Sequence, residues 1–261
     1  MVLFFLASLY PLWRLRGSNL HTSLLPMCYW TFAAWVAWGI LFFETGSLKS
    51  SGFLETRRYV ALCLTACAGV AVLGARRPHI MAWNAVVIGL LVVMLLPLAE
   101  NQVLGTPLMT GLRAWFLGVT LALVVANYLP TRFGLAAALL AIGLIAEFVK
   151  LLDAESVHHS LMDPASFCLL LAPWVAMFRR TSAIPSSFDS LWLDFRDRYG
   201  LLWALRVREQ FNASMQHAGR NVRLTWTGLS SVPDSGSIDI DETASALETL
   251  RALLKRFQPS S

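Results

Sequence analysis

Residues 80–98 run for nineteen positions without one charged side chain, and blocks of this kind recur through the first 180 residues. A helix that crosses the hydrocarbon of a bilayer needs about 20 mostly apolar residues. Blocks at 26–43, 59–75, 112–129 and 133–151 come close to that length, and another at 164–178 is shorter. The shorter one opens with Asp163-Pro164, a helix cap followed by proline at the first helical position. It closes on Arg179-Arg180, whose long stems can reach the interface. Residues 1–13 form a further block, interrupted by Pro11. It reads as a span, with an interfacial helix or a chain start placed too far downstream as alternatives. No positive charge precedes it and no small-residue cleavage site follows, so it is not an ordinary secretory signal.

Helices are the reading these blocks support. Backbone groups left unpaired in lipid are too costly, so a span is a helix or part of a closed barrel. Barrel strands alternate apolar and polar residues, and residues 86–96 show no alternation. The expected fold is mainly α: a polytopic helical membrane bundle of six or seven spans over residues 1–180, then a small α/β cytoplasmic C-terminal domain over 181–261. Composition agrees, with 56% hydrophobic and 14% charged residues where soluble domains carry about 25% charged. The net charge of +5 lies wholly before residue 181, and the tail after it is balanced. That distribution argues against a nucleic-acid partner and for a topological use of the charge.

One set of interblock segments holds Arg14, Arg16, Arg76, Arg77, Arg132, Arg179 and Arg180 and no acid. Every acid of the membrane part falls on the other set, together with Lys49, Arg57, Arg58, Arg113 and Lys150. Arginine-rich short loops stay in the cytoplasm. The C-terminus is therefore expected inside and the N-terminus outside if the first block spans; Arg57-Arg58 argues mildly against this orientation. Trp13, Trp30, Trp115 and Trp174 lie near block ends, where an interfacial aromatic belt forms, whereas Trp35 and Trp38 lie deeper and read as packing residues.

Apolar helices gain little from associating in lipid, so close packing and polar contacts must hold them. Ala61, Thr65 and Gly69, and likewise Gly118, Ala122 and Ala126, recur every four residues and offer two smooth stripes. Asn84 and Asn127 sit within spans near the same face of the membrane, which leads us to expect an interhelical hydrogen bond between them. Cys28, Cys63, Cys67 and Cys168 show neither zinc nor redox spacing and read as small buried hydrophobes.

Chemistry has one candidate cluster. Asp153, Glu155, His158 and His159 could bind a metal or relay protons on the outer side, with Glu147, Lys150 and Asp163 flanking them and Glu100, Asn101 and Gln102 on another loop. The plainer reading is a solvated loop with an ordinary Glu147–Lys150 pair one helical turn apart. Nucleophile-elbow, metalloprotease, P-loop and dinucleotide fingerprints are missing from the sequence. No catalytic residue or cofactor is expected.

In the tail, Phe188, Trp192, Phe195, Tyr199, Trp203, Val207, Phe211 and Met215 recur every three or four residues, predicting a helix from Ser187 to about His217. Val222, Leu224 and Trp226 alternate with polar residues as a strand does, residues 238–240 suggest a second short strand, and a last helix is expected from about Glu242 to Phe257, capped by Asp241. The face carrying Trp192, Phe195, Tyr199 and Trp203 is either the core of this small domain or a surface for lipid or a partner.

The run Leu193-Asp194-Phe195-Arg196-Asp197-Arg198-Tyr199-Gly200-Leu201-Leu202-Trp203, continued by Arg206 to Asn212 and Val222-Arg223-Leu224-Thr225-Trp226, resembles the tail of uncharacterised bacterial multi-pass membrane proteins of planctomycete type. The resemblance covers about 45 residues. It implies a bacterial inner membrane and carries no functional residue over. The expected function is a non-enzymatic membrane scaffold whose tail docks a cytoplasmic partner or a second copy of the chain. The alternatives are a permease or channel for a small solute, and a membrane enzyme or metal protein using the outer His/carboxylate loop.

Overall fold

The computed structural model describes residues 2–19, 23–43, 51–75, 80–152, 164–178, 187–231 and 240–257. Among them the chain is mainly helical: α1 (Val2–Asn19), α2 (Leu25–Phe43), α3 (Ser51–Val72), α4 (Ile80–Leu104), α5 (Gly111–Ala126), α6 (Gly134–Leu152), α7 (Pro164–Phe178), α8 (Phe188–His217) and α9 (Ile240–Leu254). A two-stranded antiparallel sheet, β1 (Val222–Leu224) and β2 (Leu229–Ser231), lies between α8 and α9.

Six of the first seven helices close a ring. α1 packs on α2, α2 on α3, α3 on α5, α5 on α6, α6 on α7, and α7 returns to α1. A further contact joins α3 to α6 across the ring, and α4 lies outside it against α3. The close approaches are built from small residues. Ala61 and Thr65 of the first small-residue stripe are buried, and any side chain at Gly69 would collide with Val124 of α5. The second stripe behaves differently. Gly118 faces Phe148 of α6, but Ala122 and Ala126 are exposed, so only one of its three positions packs.

Three tryptophans make α2 a hub. Trp30 Nε1 donates to Asn84 Oδ1 of α4 at 2.8 Å, Trp35 Nε1 to Ser8 of α1 at 3.1 Å, and Trp38 Nε1 to the Thr65 hydroxyl of α3 at 3.0 Å. Each bond satisfies a polar group that hydrocarbon could not, buried at Trp35 and Trp38 and half-buried at Trp30. Outward, α4 exposes Val86, Ile88, Val92, Val93 and Leu96, and α5 exposes Leu112, Trp115 and Leu123. Helices this apolar on their outer faces suit lipid rather than water. Three helical stretches are long and apolar enough to cross a bilayer: Leu25–Phe42, Ala82–Leu104 and Gly134–Leu152.

The tail builds a second core, which Leu24, Val72 and Ala75 from the bundle side join. Ser187 caps α8: its hydroxyl accepts from Ser190 N–H while the Ser190 hydroxyl accepts from Ser187 N–H. Asn212 holds β1 along α8, accepting from Leu224 N–H at 2.7 Å and donating to Leu224 C=O at 3.2 Å. Asp189 accepts from Leu229 N–H at 2.9 Å and so fixes β2. The strand that pairs with β1 is Leu229–Ser231. Ile240 begins α9, Asp241 falls inside that helix instead of capping it, and residues 238–239 lie outside the described residues.

Candidate functional site: the joint and the cavity above it

The tail attaches to the bundle through a broken helix. Gly200 has φ 77° and ψ −172°, a conformation open only to glycine, and it divides α8 into two helices. The second helix begins with amide groups that no earlier turn can accept. Asn127, at the end of α5, supplies the acceptors: Leu201 N–H donates to its backbone C=O at 2.7 Å, and Leu202 N–H to its side-chain Oδ1 at 3.0 Å. One bundle residue therefore caps a tail helix. Around it Tyr128 O–H donates to Arg198 C=O at 3.3 Å, Trp203 Nε1 to Val72 C=O at 3.1 Å, and Trp226 Nε1 to Pro130 C=O at 2.9 Å.

The expected bond between Asn84 and Asn127 is not formed. Asn84 is held by Trp30 and Asn127 by α8, so each makes an interhelical contact with a different partner. The physical reason is supply. Asn127 meets unpaired amides at Gly200, and Asn84 meets an indole donor. Replacing Asn127 with alanine is expected to lower stability by about 1 kcal/mol, the loss typical of a helix cap. Chemical or thermal unfolding of the full chain in detergent measures it.

The aromatic face of α8 is closed within the protein. Trp192, Phe195 and Tyr199 are buried, and Trp203 is partly so. Phe257 plugs the face edge-on, its ring 4.9 Å from Phe195, 5.1 Å from Tyr199 and 5.3 Å from Trp203. The face is therefore core and bundle contact, and offers no open surface to a partner. Ser23 ties α2's entry to the same place, donating to Phe257 C=O at 2.9 Å beside the Tyr199 hydroxyl at 3.2 Å.

Burial pushes the Tyr199 hydroxyl above its ordinary pKa, against the lowering effects of Ser23 and Arg198. Below about pH 10 the group is protonated in folded and unfolded chains alike, and its contribution is fully present. Above that, the unfolded chain gives up the proton first, so stability falls as pH rises. Thermal midpoints from pH 9 to 11 are expected to fall less steeply in Tyr199→Phe than in the wild type.

A mixed-charge cluster rims this joint. Asp197 is buried and accepts from Arg132 N–H at 3.2 Å and from Arg196 Nη2 at 2.8 Å, with Arg132 Nε 3.3 Å away. Arg198 Nε pairs with Asp194 at 2.8 Å, and Arg132 Nη2 stands 3.8 Å from the same carboxylate. Above this rim, a cavity of about 360 Å³ extends into the ring, within the size range of small-molecule sites. Its walls include Ala68, Ala137, Leu140 and Ala172, and Trp35 and Trp38 also line it. Alanines where neighbouring turns carry leucine leave the space unfilled.

On the side away from the tail, Arg58 and Lys150 share Glu147, with Nε–Oε2 2.7 Å and Nζ–Oε1 2.8 Å. All three are buried. From sequence alone Glu147 pairs with Lys150, and Arg58 falls in a loop. α3 begins earlier than expected, at Ser51, and carries Arg58 inward. Glu100, Asn101 and Gln102 likewise fall in the last turns of α4, where Glu100 pairs with Arg113. His158, His159, Asp153 and Glu155 lie outside the described residues, within which no group of three or more His, Cys, Asp or Glu could hold a metal.

Fold and site together define a helical-bundle protein of membrane type, with a folded tail fixed to one end of the bundle and a cavity behind the joint. Comparison with known proteins adds no match: no family model, curated protein or solved structure matches the chain.

Proposed function

We propose that this is a bacterial inner-membrane protein of six or seven spans that binds a small solute in the cavity and works as a permease. The tail then lies in the cytoplasm and the N-terminus outside. The carrying observation is the cavity itself, bounded by a ring of helices and rimmed at the tail end by paired charges. The orientation is supported by the arginine-only segments and by the pairing of Arg58 with Glu147. That pairing removes one of the two arginines that argued against it. The location rests on the resemblance of the tail segment.

From sequence, a permease is expected to bring Asn84, Asn127 and Glu147 to a common cavity; none of the three lines this one, and each is engaged by another partner, which counts against that form of the reading. The test is a cysteine at Ala137 in a chain whose four native cysteines are serine. Water-soluble thiol reagents should modify it from both faces of sealed vesicles, more slowly from the face of the Glu147 triad. Modification from the tail face alone would rule out a through-path.

A scaffold or assembly role is the second reading, favoured by the fixed joint, which turns the tail into a rigid platform. A protein partner or second copy would then use a face other than Trp192, Phe195, Tyr199 and Trp203.

A further inference from the structure

We propose that the cavity takes an uncharged, largely hydrocarbon molecule whose one hydroxyl or carbonyl oxygen meets Thr31. This rests on the solute-binding reading above and names the substrate class. Volume bounds the size. A cavity of about 150 Å³ lined by aliphatic and aromatic side chains holds benzene. This one measures about 360 Å³, which scales to a ligand on the order of a dozen non-hydrogen atoms. An intact two-chain lipid is too large to enter whole.

The lining sets the charge. Its charged members, Arg132, Arg198, Asp194 and Asp197, balance. They are also paired with one another: Arg132 Nε lies 3.3 Å from Asp197, and Arg198 Nε 2.8 Å from Asp194. An ion entering the cavity would shed its water and meet charges already committed, and burying a charge without a partner is costly. The remaining walls, Ala68, Ala137, Leu140 and Leu169 among them, reward hydrocarbon.

The polar groups deeper in are engaged within the protein, with one exception. Trp35 Nε1 donates to Ser8 and Trp38 Nε1 to Thr65, and the Thr65 hydroxyl donates to Ala61 C=O at 2.8 Å. A helical threonine commonly turns its hydroxyl back in this way to the carbonyl four residues earlier. Thr31 does not. It lines the cavity from α2, is half-buried, and its hydroxyl makes no hydrogen bond among the described residues. That O–H is left to donate to an oxygen on the ligand.

The experiment is saturable binding of tritiated 1-decanol to the full-length protein in uncharged detergent at neutral pH. Unlabelled 1-decanol, decane, decanoate and decylammonium serve as competitors. The wild type should bind one decanol per chain. Decanoate and decylammonium should compete more weakly by about tenfold or more, for want of a counter-charge. Decane should compete about fivefold more weakly, the loss of one neutral hydrogen bond. Thr31→Val should bring decanol down to the level of decane and leave decane unchanged, and Ala137→Leu should weaken both.

Either ion competing as well as decanol would overturn the uncharged assignment and leave solute binding standing. Decane competing as well as decanol, or a folded Thr31→Val that binds decanol like the wild type, would overturn the contact with Thr31. A folded wild type that binds none of the four probes would overturn the solute-binding reading as well. The wild-type competition decides among these even if the variants fail to fold.

Discussion

Glu147→Ala is expected to destabilise the full chain by about 3–5 kcal/mol, because it removes the carboxylate that two buried cations share. Arg58 and Lys150 reach the same carboxylate from α3 and α6, and neither has more than a few per cent of its side chain exposed. Water cannot replace the lost partner at that depth, and the penalty falls on the contact that crosses the ring. Glu147→Gln should cost nearly as much, since the amide keeps the shape but not the charge. The triple variant Arg58→Met, Glu147→Leu, Lys150→Met removes these three charges together. Apolar replacement of a complete buried network is often neutral or stabilising. Thermal midpoints in uncharged detergent should therefore fall sharply in the single variants and recover in the triple one. A single variant as stable as the wild type would mean the charges are solvated.

Gly200→Ala is expected to release the tail from the bundle. The backbone there lies in a region that alanine avoids, at about 1–3 kcal/mol of strain. A Cβ would also collide with the Asn127 side chain and backbone oxygen, and such overpacking costs about 1–3 kcal/mol more. Both penalties vanish if α8 straightens and leaves Asn127. The tail core of Trp192, Phe195 and Phe211 should largely survive, since its cluster is built mainly from tail residues, with Leu24, Val72 and Ala75 the bundle's share. Limited proteolysis should then cut at the joint while the far-ultraviolet spectrum stays helical. Loss of the helical spectrum would mean that the joint is needed for folding and not only for docking.

The difference between what could be read and what could not is physical. The apolar blocks and the α8 stripe were legible because burial imposes a local period on the sequence, and helices formed at each of them. Arg58 was not, because its charge is neutralised by a residue 89 positions away. Its neighbours in sequence are those of a loop. The break in α8 was hidden as well: a glycine on an amphipathic helix is usually tolerated, and only the meeting with Asn127 reveals why this one turns the chain. Asn127 reads in the sequence as a polar residue paired with Asn84, but its partners are helix-start amides that exist only once Gly200 breaks the helix. β2 lacked a signal, because Leu229–Ser231 is a weak strand sequence held by Asp189.

The cavity lay beyond local reading too. Its alanines sit on different helices, and each is unremarkable in an apolar span. Closure of the ring between α1 and α7 is what gathers them.

Amide hydrogen exchange at Leu201 and Leu202 in the detergent-solubilised full chain tests the clamp between tail and bundle most directly. Both amides start a helix and would have no acceptor within it, so their protection reports Asn127 alone. The expected result is slow exchange at both in the wild type and fast exchange at Leu202 in Asn127→Ala, with Phe211 unaffected. Exchange at free-chain rates at both positions in the wild type would contradict the account.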